Sequence, residues 1–187
     1  SGIVDDTDLC FLGGTPHGLM DVFGLRSTEI DGLYEGESNQ AIPVEGNSLN
    51  LTKTYCCEHL CDLVKTDGAE VLMTYGSDFY AGMPALTCNP YGQGEAYYVC
   101  ADFEQGFYDE VYRKISSKAG VKRIVSYIPY GVEVTTRENE KARYLIVQNF
   151  IRNRTEVKLP TEEFQLWYGT YDGTIAGFDT VILRKEK

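Results

Sequence analysis

Three candidate metal ligands alternate along one short segment of the chain. Cys57, His59 and Cys61 are separated by single residues, so they share one face if this segment is an extended strand. Thiolates and imidazoles are the ligands that Zn²⁺ prefers. A single strand cannot easily surround a tetrahedral ion, and zinc sites usually place two cysteines on a turn. Buried thiols and a structural histidine are therefore the main interpretation, and a metal site is the alternative.

Nucleophilic catalysis would need a Ser or Cys in an elbow of small residues, with a histidine as the base. Gly76-Ser77-Asp78 lacks the second glycine of such an elbow, and Cys57 has no glycine beside it. The only two histidines are His17 and His59. The sequence therefore does not predict a catalytic triad.

Carboxylates are plentiful, but none forms an evident catalytic pair. Glycosidase chemistry needs two carboxyl groups about 5 to 9.5 Å apart around one bond, usually at strand ends of a barrel. Asp5, Asp6 and Asp8 are clustered, yet they lie in a turn that precedes Pro16 and a short helix. Turn and cap chemistry is the simpler explanation for this cluster.

Aromatic residues near the C-terminus offer a candidate sugar-binding platform formed by Trp167, Tyr168 and Tyr171. Exposed aromatic rings on a β-domain can stack against sugars, which makes a carbohydrate-binding module the alternative function. In a regular strand, however, Trp167 and Tyr168 point to opposite faces. One of these faces must be core, which argues against the platform.

The overall net charge of −11 conceals an asymmetry along the chain. Residues 1–110 contain 19 acidic and three basic residues, a net charge of −16, whereas residues 111–187 contain nine acidic and 14 basic residues, a net charge of +5. This division predicts two units with favourable electrostatics, within the chain or between subunits. The basic half lacks any recognition motif, so no nucleic-acid partner is expected.

The cysteines and the start of the chain indicate its setting. All six cysteines are too sparse for a disulfide scaffold and mostly lie among apolar residues, which favours a reducing cytoplasm. Neither a signal peptide nor a stretch of about 20 apolar residues is present, so no membrane partner is expected. A chain that begins at Ser1 is expected to be an excised piece of a longer protein.

Two kinds of local pattern predict two domains. Residues 1–120 combine a short helix after Pro16 that ends at Gly24, a loop over 35–50, and a helix over 104–119 with Phe107, Val111, Tyr112 and Ile115 on one face. Their predicted strands are 26–33, 59–65, 69–75, 85–89 and 95–101. Residues 121–187 show only short strands, which predicts a small antiparallel β-sandwich or barrel. These strands are predicted near 132–136 and at 142–149, 155–159, 164–169 and 178–185.

Several motifs in a fixed order resemble the trimerisation domain of family 42 β-galactosidases. The resemblance is strong over residues 1–105 and weaker over the β-rich remainder, which is similar to the small C-terminal domain of that family. The motifs are Ser1-Gly2-Ile3-Val4-Asp5, Asp8-Leu9-Cys10-Phe11-Leu12-Gly13-Gly14, Leu60-Cys61-Asp62-Leu63, Gly68-Ala69-Glu70-Val71-Leu72, Thr74-Tyr75-Gly76-Ser77-Asp78-Phe79-Tyr80-Ala81-Gly82, Pro84-Ala85-Leu86-Thr87 and Tyr91-Gly92-Gln93-Gly94-Glu95-Ala96-Tyr97-Tyr98.

The resemblance implies an α/β fold: a partial domain like class I glutamine amidotransferases (flavodoxin-like), followed by a small antiparallel β-sandwich. It implies a non-catalytic scaffold portion of a retaining β-galactosidase that hydrolyses terminal β-D-galactosides without a cofactor. The two catalytic glutamates would belong to a barrel absent from this chain. Expected partners are that barrel and the neighbouring subunits of a homotrimer, with Asp5, Asp6, Asp8 and Pro16 as candidate contacts.

Overall fold

Antiparallel pairing characterises every sheet of this protein. The computed structural model describes residues 2–187, which divide into one compact unit up to Gly120 and a second over Val121–Lys187. Throughout the described residues, each pair of neighbouring strands is antiparallel. The elements in chain order are α1 (Met20–Phe23), β1 (Leu25–Gly32), β2 (Asn39–Pro43), β3 (Tyr55–Thr66), β4 (Glu70–Tyr75), β5 (Pro84–Tyr91), β6 (Gly94–Val99), β7 (Ala101–Phe103), α2 (Gln105–Lys118), β8 (Val132–Glu138), β9 (Ala142–Asn149), β10 (Thr155–Glu156), β11 (Gln165–Tyr168), β12 (Thr174–Ile175) and β13 (Thr180–Glu186).

The first unit is built on a seven-stranded sheet with the order β1-β3-β2-β4-β5-β6, and β7 pairs with β3. Short turns connect β3 to β4 and β5 to β6, and these turns place Gly68 and Gly92 at positive φ, as their sequence predicts. The helix α2 inserts Phe107 and Val111 into the core. Tyr112, predicted on the same face, is instead 61% exposed because it lies at the edge of the buried stripe.

The parallel, doubly wound character implied by the amidotransferase resemblance is not confirmed. Parallel neighbours require crossover connections of a dozen or more residues, usually helical. In the described part of the first unit, α2 is the only helix longer than the four-residue α1, and the sheet is antiparallel throughout. These residues form mostly antiparallel β structure with few helices.

One strand lies where the sequence predicted a loop. The strand β2 falls within residues 35–50, whose Gly, Asn and Pro content is typical of turns. Asn39 is nevertheless buried, and its side chain bonds to both backbone groups of Ser77. Ala41 lies fully in the core. Asn39, a residue type common in loops, thus connects β2 to the turn that contains Ser77.

The second unit consists of a four-stranded sheet, β11-β13-β9-β8, and a two-stranded ribbon, β10-β12. Both contribute to one apolar core, which includes Leu145, Ile175 and Leu183. The strand predicted over 155–159 ends at Glu156. Beyond it, the Tyr171 hydroxyl donates to the Val157 carbonyl (2.6 Å) and accepts from the Leu159 amide (3.1 Å), so a side chain replaces the missing strand partner.

Candidate functional site

The acidic turn in residues 2–19, here called the N-terminal loop, is organised by Asp5. One oxygen of its carboxylate accepts hydrogen bonds from the Thr7 hydroxyl (2.8 Å), the Thr7 amide (2.8 Å) and the Leu9 amide (3.1 Å). These bonds, that of the Thr7 side chain first, lower the pKa of Asp5. Asp5 therefore shapes the turn, as the simpler interpretation of the sequence holds.

The N-terminal loop is anchored at both ends. The His17 amide donates to the Gly2 carbonyl (2.8 Å), and the His17 ring stacks on Phe11 with centroids 4.1 Å apart. The Ser27 amide donates to the Thr15 carbonyl (2.8 Å), which connects the loop to β1. Pro16, which follows a cis peptide bond, is buried. Of the four candidate contacts, Pro16 thus belongs to the anchor and not to the surface.

The surface of this loop is apolar as well as acidic. Asp6 and Asp8 are exposed, and after them in the chain Leu9 and Leu12 expose 66% and 92% of their surface. Leucines held open to solvent on an anchored loop are typical of a contact surface. Leu9 and Leu12 were not among the predicted contacts, although a leucine in a Gly- and Asp-rich loop is a visible signal in the sequence.

The three candidate metal ligands do not share one face. His59 has a φ of +61°, and the pairing of β3 with β7 shifts register between Glu58 and Cys61. This bulge turns His59 to solvent, whereas Cys57 and Cys61 are fully buried. Among residues 2–187, no three His, Cys, Asp or Glu side chains lie together in a way that could hold a metal ion.

The two buried thiols instead influence each other. Hydrogen bonding between the side chains lowers the pKa of Cys61, and the same contact together with burial raises that of Cys57. Nearby, the Tyr75 hydroxyl donates to the Cys100 carbonyl (2.7 Å), and burial raises the pKa of the Cys100 thiol. These groups are closed to solvent, so they act as core residues.

The candidate catalytic side chains are also dispersed. The Ser77 hydroxyl donates to Asn39 (2.8 Å), and His17 stacks on Phe11. His59 Nδ1 lies 2.9 Å from Asp102 Oδ2, and both side chains are largely exposed. The described residues show no hydrogen bond from His59 to a thiol or hydroxyl, which leaves it without a nucleophile to activate.

A small cleft lies beside the His59–Asp102 pair. Its other lining residues are Cys56, Glu58, Phe103 and Glu104. One oxygen of Glu104 accepts the Cys56 amide (2.9 Å), which joins the start of α2 to β3. Glu104 therefore serves the junction between these two elements, and Asp102 pairs with His59.

The structure separates the three residues of the candidate sugar platform into an exposed pair, Trp167 and Tyr168, and a structural residue, Tyr171. Trp167 and Tyr168 lie on β11 and are 59% and 58% exposed. Tyr171 has a structural role instead, because its hydroxyl is hydrogen-bonded to the backbone of Val157 and Leu159. The Trp167 ring contacts Tyr144, with centroids 5.6 Å apart and an interplanar angle of 69°. Tyr144 was not singled out from the sequence, because its proximity depends on strand order.

No helix within the described residues is long and apolar enough to cross a membrane.

Comparisons with known families match both units. The family described as the β-galactosidase trimerisation domain matches residues 1–122, and the β-galactosidase C-terminal domain matches residues 131–185. The resemblance noted from the sequence motifs is therefore confirmed.

Individual relatives agree with these matches. β-Galactosidase Pbg of Clostridium perfringens is 43% identical over 151 residues, which are 80% of this chain and 22% of that protein. β-Galactosidase BglY of Alicyclobacillus acidocaldarius is 39% identical over 170 residues, 90% of this chain and 25% of that protein. The chain thus spans about a quarter of the length of these relatives.

Solved structures give the same result. A β-galactosidase from Rahnella sp. R3 superposes with a TM-score of 0.82 at 36% identity, covering 100% of this chain and 27% of that one. A β-galactosidase from Bacillus circulans sp. alkalophilus superposes with a TM-score of 0.82 at 33% identity, covering 99% of this chain and 28% of that one. The chain belongs to the family 42 β-galactosidases, and its residues 1–122 correspond to their trimerisation domain.

Proposed function

We propose that this chain is the non-catalytic, assembling portion of a β-galactosidase that hydrolyses terminal β-D-galactosides. The observation that carries the proposal is the match of residues 1–122 to a trimerisation domain, in a chain that spans only about a quarter of its relatives. Catalysis would belong to a barrel elsewhere in the whole protein, and the two compact units would be separate domains. Its partners would be that barrel and two further subunits.

The N-terminal loop is the surface that we propose for contact with a neighbouring subunit. Because a hydrogen bond from His17 to Gly2 joins its two ends and Thr15 is bonded to β1, presenting Leu9 and Leu12 to a partner costs little conformational entropy. Burying the two leucines would contribute about 1.5–3 kcal/mol each. Asp6 and Asp8 would lie at the polar rim and favour a partner surface with basic residues.

A pair of charge-introducing variants tests this surface. We expect Leu9→Asp/Leu12→Asp to lower the weight-average mass in sedimentation velocity, because two carboxylates would be desolvated in the interface. Tyr130→Asp is the control, since Tyr130 is a 90% exposed apolar residue of the second unit and its replacement should leave the mass unchanged. Equal masses for the unaltered chain and the double variant would overturn the assignment of the loop.

The finer fold assignment is also part of this proposal: the first unit would be a portion of a domain like class I glutamine amidotransferases. Its support is the ordered set of motifs over residues 1–105, which resembles the family that has this domain. The antiparallel sheet of residues 2–120 does not supply the parallel strands. A structure of a longer chain should therefore add parallel strands beside this sheet, and their absence would refute the assignment.

A reducing, cytoplasmic location is proposed from the thiols. All six cysteines are free, and Cys57, Cys61, Cys88 and Cys100 are buried. Reduced cysteines of this kind pack as small apolar residues. Intact-mass measurement of protein isolated under thiol-trapping conditions should show six modified cysteines after denaturation, and a disulfide would contradict the proposal.

A further inference from the structure

The edge strand β11 contains a bulge that brings two aromatic residues to the same face. Leu166 pairs with Leu183 and Tyr168 pairs with Ile182, which leaves Trp167 as an extra residue between them. Without this insertion, Trp167 and Tyr168 would point to opposite faces of the sheet. The objection that one of them must be buried is thereby removed, and both are more than half exposed.

The register shows which face they occupy. Leu183 pairs with Leu145, and both are fully buried, so this row faces the core. The adjacent row crosses the sheet on the opposite, outer face and contains Gln165, Arg184, Tyr144 and Arg137. Since Trp167 contacts Tyr144 and Tyr168 pairs with the half-buried Ile182, all three rings lie on the outer face. We call Tyr144, Trp167 and Tyr168 the aromatic corner.

The aromatic corner is an angled surface rather than a flat one. The rings of Trp167 and Tyr144 meet at 69°, so one ring offers a floor and the other a wall. Such a shape suits one small ring-shaped ligand better than an extended planar surface. The C–H groups of a pyranose could pack on the exposed indole while the phenol contacts its edge.

Hydrogen-bonding groups border these rings. Arg184 and Gln165 are paired directly across β13 and β11, in the same row as Tyr144. The Arg184 side chain is 34% exposed, and one of its terminal nitrogens lies 3.2 Å from Glu186 Oε1. Its Nε has no acceptor among the described residues, so only part of its donor capacity is used. Guanidinium and amide groups together can donate to and accept from vicinal hydroxyls, which is the chemistry of a neutral sugar.

The area of the aromatic corner argues against a protein partner. Trp167 and Tyr168 are more than half exposed and Tyr144 is half-buried, so three aromatic side chains of about 150–250 Å² each offer roughly 200–400 Å² of exposed surface. A stable protein interface takes about 800 Å² from each partner. Around the corner, Ile146 and Ile182 are half-buried and flanked by Thr135 and Gln148, so the exposed apolar surface does not extend much further.

From this arrangement we infer that the aromatic corner binds a single neutral pyranose, such as a galactosyl unit, with Trp167 as the stacking surface and Arg184 and Gln165 as hydrogen-bonding partners. Binding here is independent of the assembly assigned to the N-terminal loop, since the two sites share no residue. The site would hold sugar without cleaving it.

A fluorescence titration of the full chain tests the inference directly. Trp167 is the only tryptophan, so its emission reports this site alone. Lactose and galactose, titrated to millimolar concentrations, should each produce a saturable change in emission. Tyr168→Ala removes one of the three rings of the aromatic corner and should weaken binding about tenfold, a loss of about 1.4 kcal/mol. The emission of Trp167→Phe cannot be followed, so ligand-observed NMR saturation transfer would measure its remaining binding.

The matched control is Phe178→Ala, which removes an aromatic side chain that is 70% exposed in the same unit but outside the corner. It should leave sugar affinity unchanged, and circular dichroism should show native folding for every variant. A linear, unsaturable response, or equal weakening by Phe178→Ala and Tyr168→Ala, would overturn the inference. If the unaltered chain showed no response to sugar and Trp167→Ala changed the molar mass in solution, the corner would be a protein contact and the inference would be overturned.

Discussion

Two of the bulges in this protein, one at His59 in β3 and one at Trp167 in β11, have opposite consequences for a candidate site. At His59 the bulge removes a side chain from the face that it was expected to share with Cys57 and Cys61. At Trp167 the bulge brings a side chain onto the face occupied by Tyr168. One bulge thus disperses a candidate site, and the other assembles one.

The positions of the bulges explain why they were not visible in the sequence. Along one edge of β3, the partner is β2 through Cys57 and then β1 from Leu60 onward, while β7 occupies the other edge. His59 lies where the partner changes. Trp167 lies on an edge strand with a single partner, β13, where an extra residue is easily accommodated. In both cases the neighbouring strands decide which residue is extra.

The largest effect should come from closing the space beside the Trp167 bulge. Gly169 has a φ of +83°, and a Cβ there would lie 2.5 Å from the Thr180 carbonyl oxygen. We expect Gly169→Ala to lower the free energy of unfolding of the second unit by about 3 kcal/mol, through backbone strain and overpacking. A urea titration followed by Trp167 fluorescence would measure it.

Gly173→Ala is the control for that variant. Gly173 also has a positive φ (+100°), but no atom lies within 4 Å of the position of its Cβ. Its replacement by alanine should lower the free energy of unfolding by about 1–2 kcal/mol, through the strain of the positive φ alone. Equal losses for the two variants would show that close packing after the bulge is not what fixes β11.

The bulge in β3 should respond to the choice of residue at position 59. At a φ of +61°, a β-branched side chain is strained, whereas glycine is not. His59→Val should therefore lower the unfolding free energy of the first unit by about 1–2 kcal/mol, and His59→Gly should leave it unchanged or raise it slightly. Near-ultraviolet circular dichroism during urea unfolding would follow the tyrosines of this unit. A glycine variant less stable than the valine variant would contradict the left-handed conformation of His59.

The smallest effect concerns the rates at which thiols are alkylated. Cys10 is exposed, whereas Cys57, Cys61 and Cys88 are buried, and burial raises the pKa of the Cys88 thiol. Iodoacetamide should therefore label Cys10 first and the buried thiols only as the protein opens. His59→Val should accelerate labelling of Cys57 and Cys61 more than that of Cys88, as followed by peptide mass spectrometry. Native Cys57 labelled as fast as Cys10 would contradict the orientation assigned to the thiols.

Local signals in the sequence predicted much of the fold but not its strand order. The helix α2 was predicted to within one residue at each end, because its apolar period and terminal Gly120 are local features. The strand β2 was missed because its Asn39 and Pro43 are typical of turns, and Asn39 is justified only by its contact with Ser77. The antiparallel order of the first sheet depends on contacts between distant residues, which periodicity does not contain.

The candidate sites were predictable in the same uneven way. The Asp5 turn follows from local sequence, and the structure gives it the predicted turn chemistry. The contact of Tyr144 with Trp167 depends on the adjacency of β9 and β13 and on one bulge, so residue types alone could not select it. Family motifs in order, in contrast, identified the relatives without any tertiary information.

The central claim is that residues up to Gly120 assemble the chain, and its molar mass in solution tests this most directly. Light scattering on a size-exclusion column, across a series of protein concentrations, should give a plateau at three times the 21.0 kDa of one chain. Dilution should shift the mass toward that of one chain without passing through larger species. A mass of 21.0 kDa at every concentration would contradict the proposed assembling role.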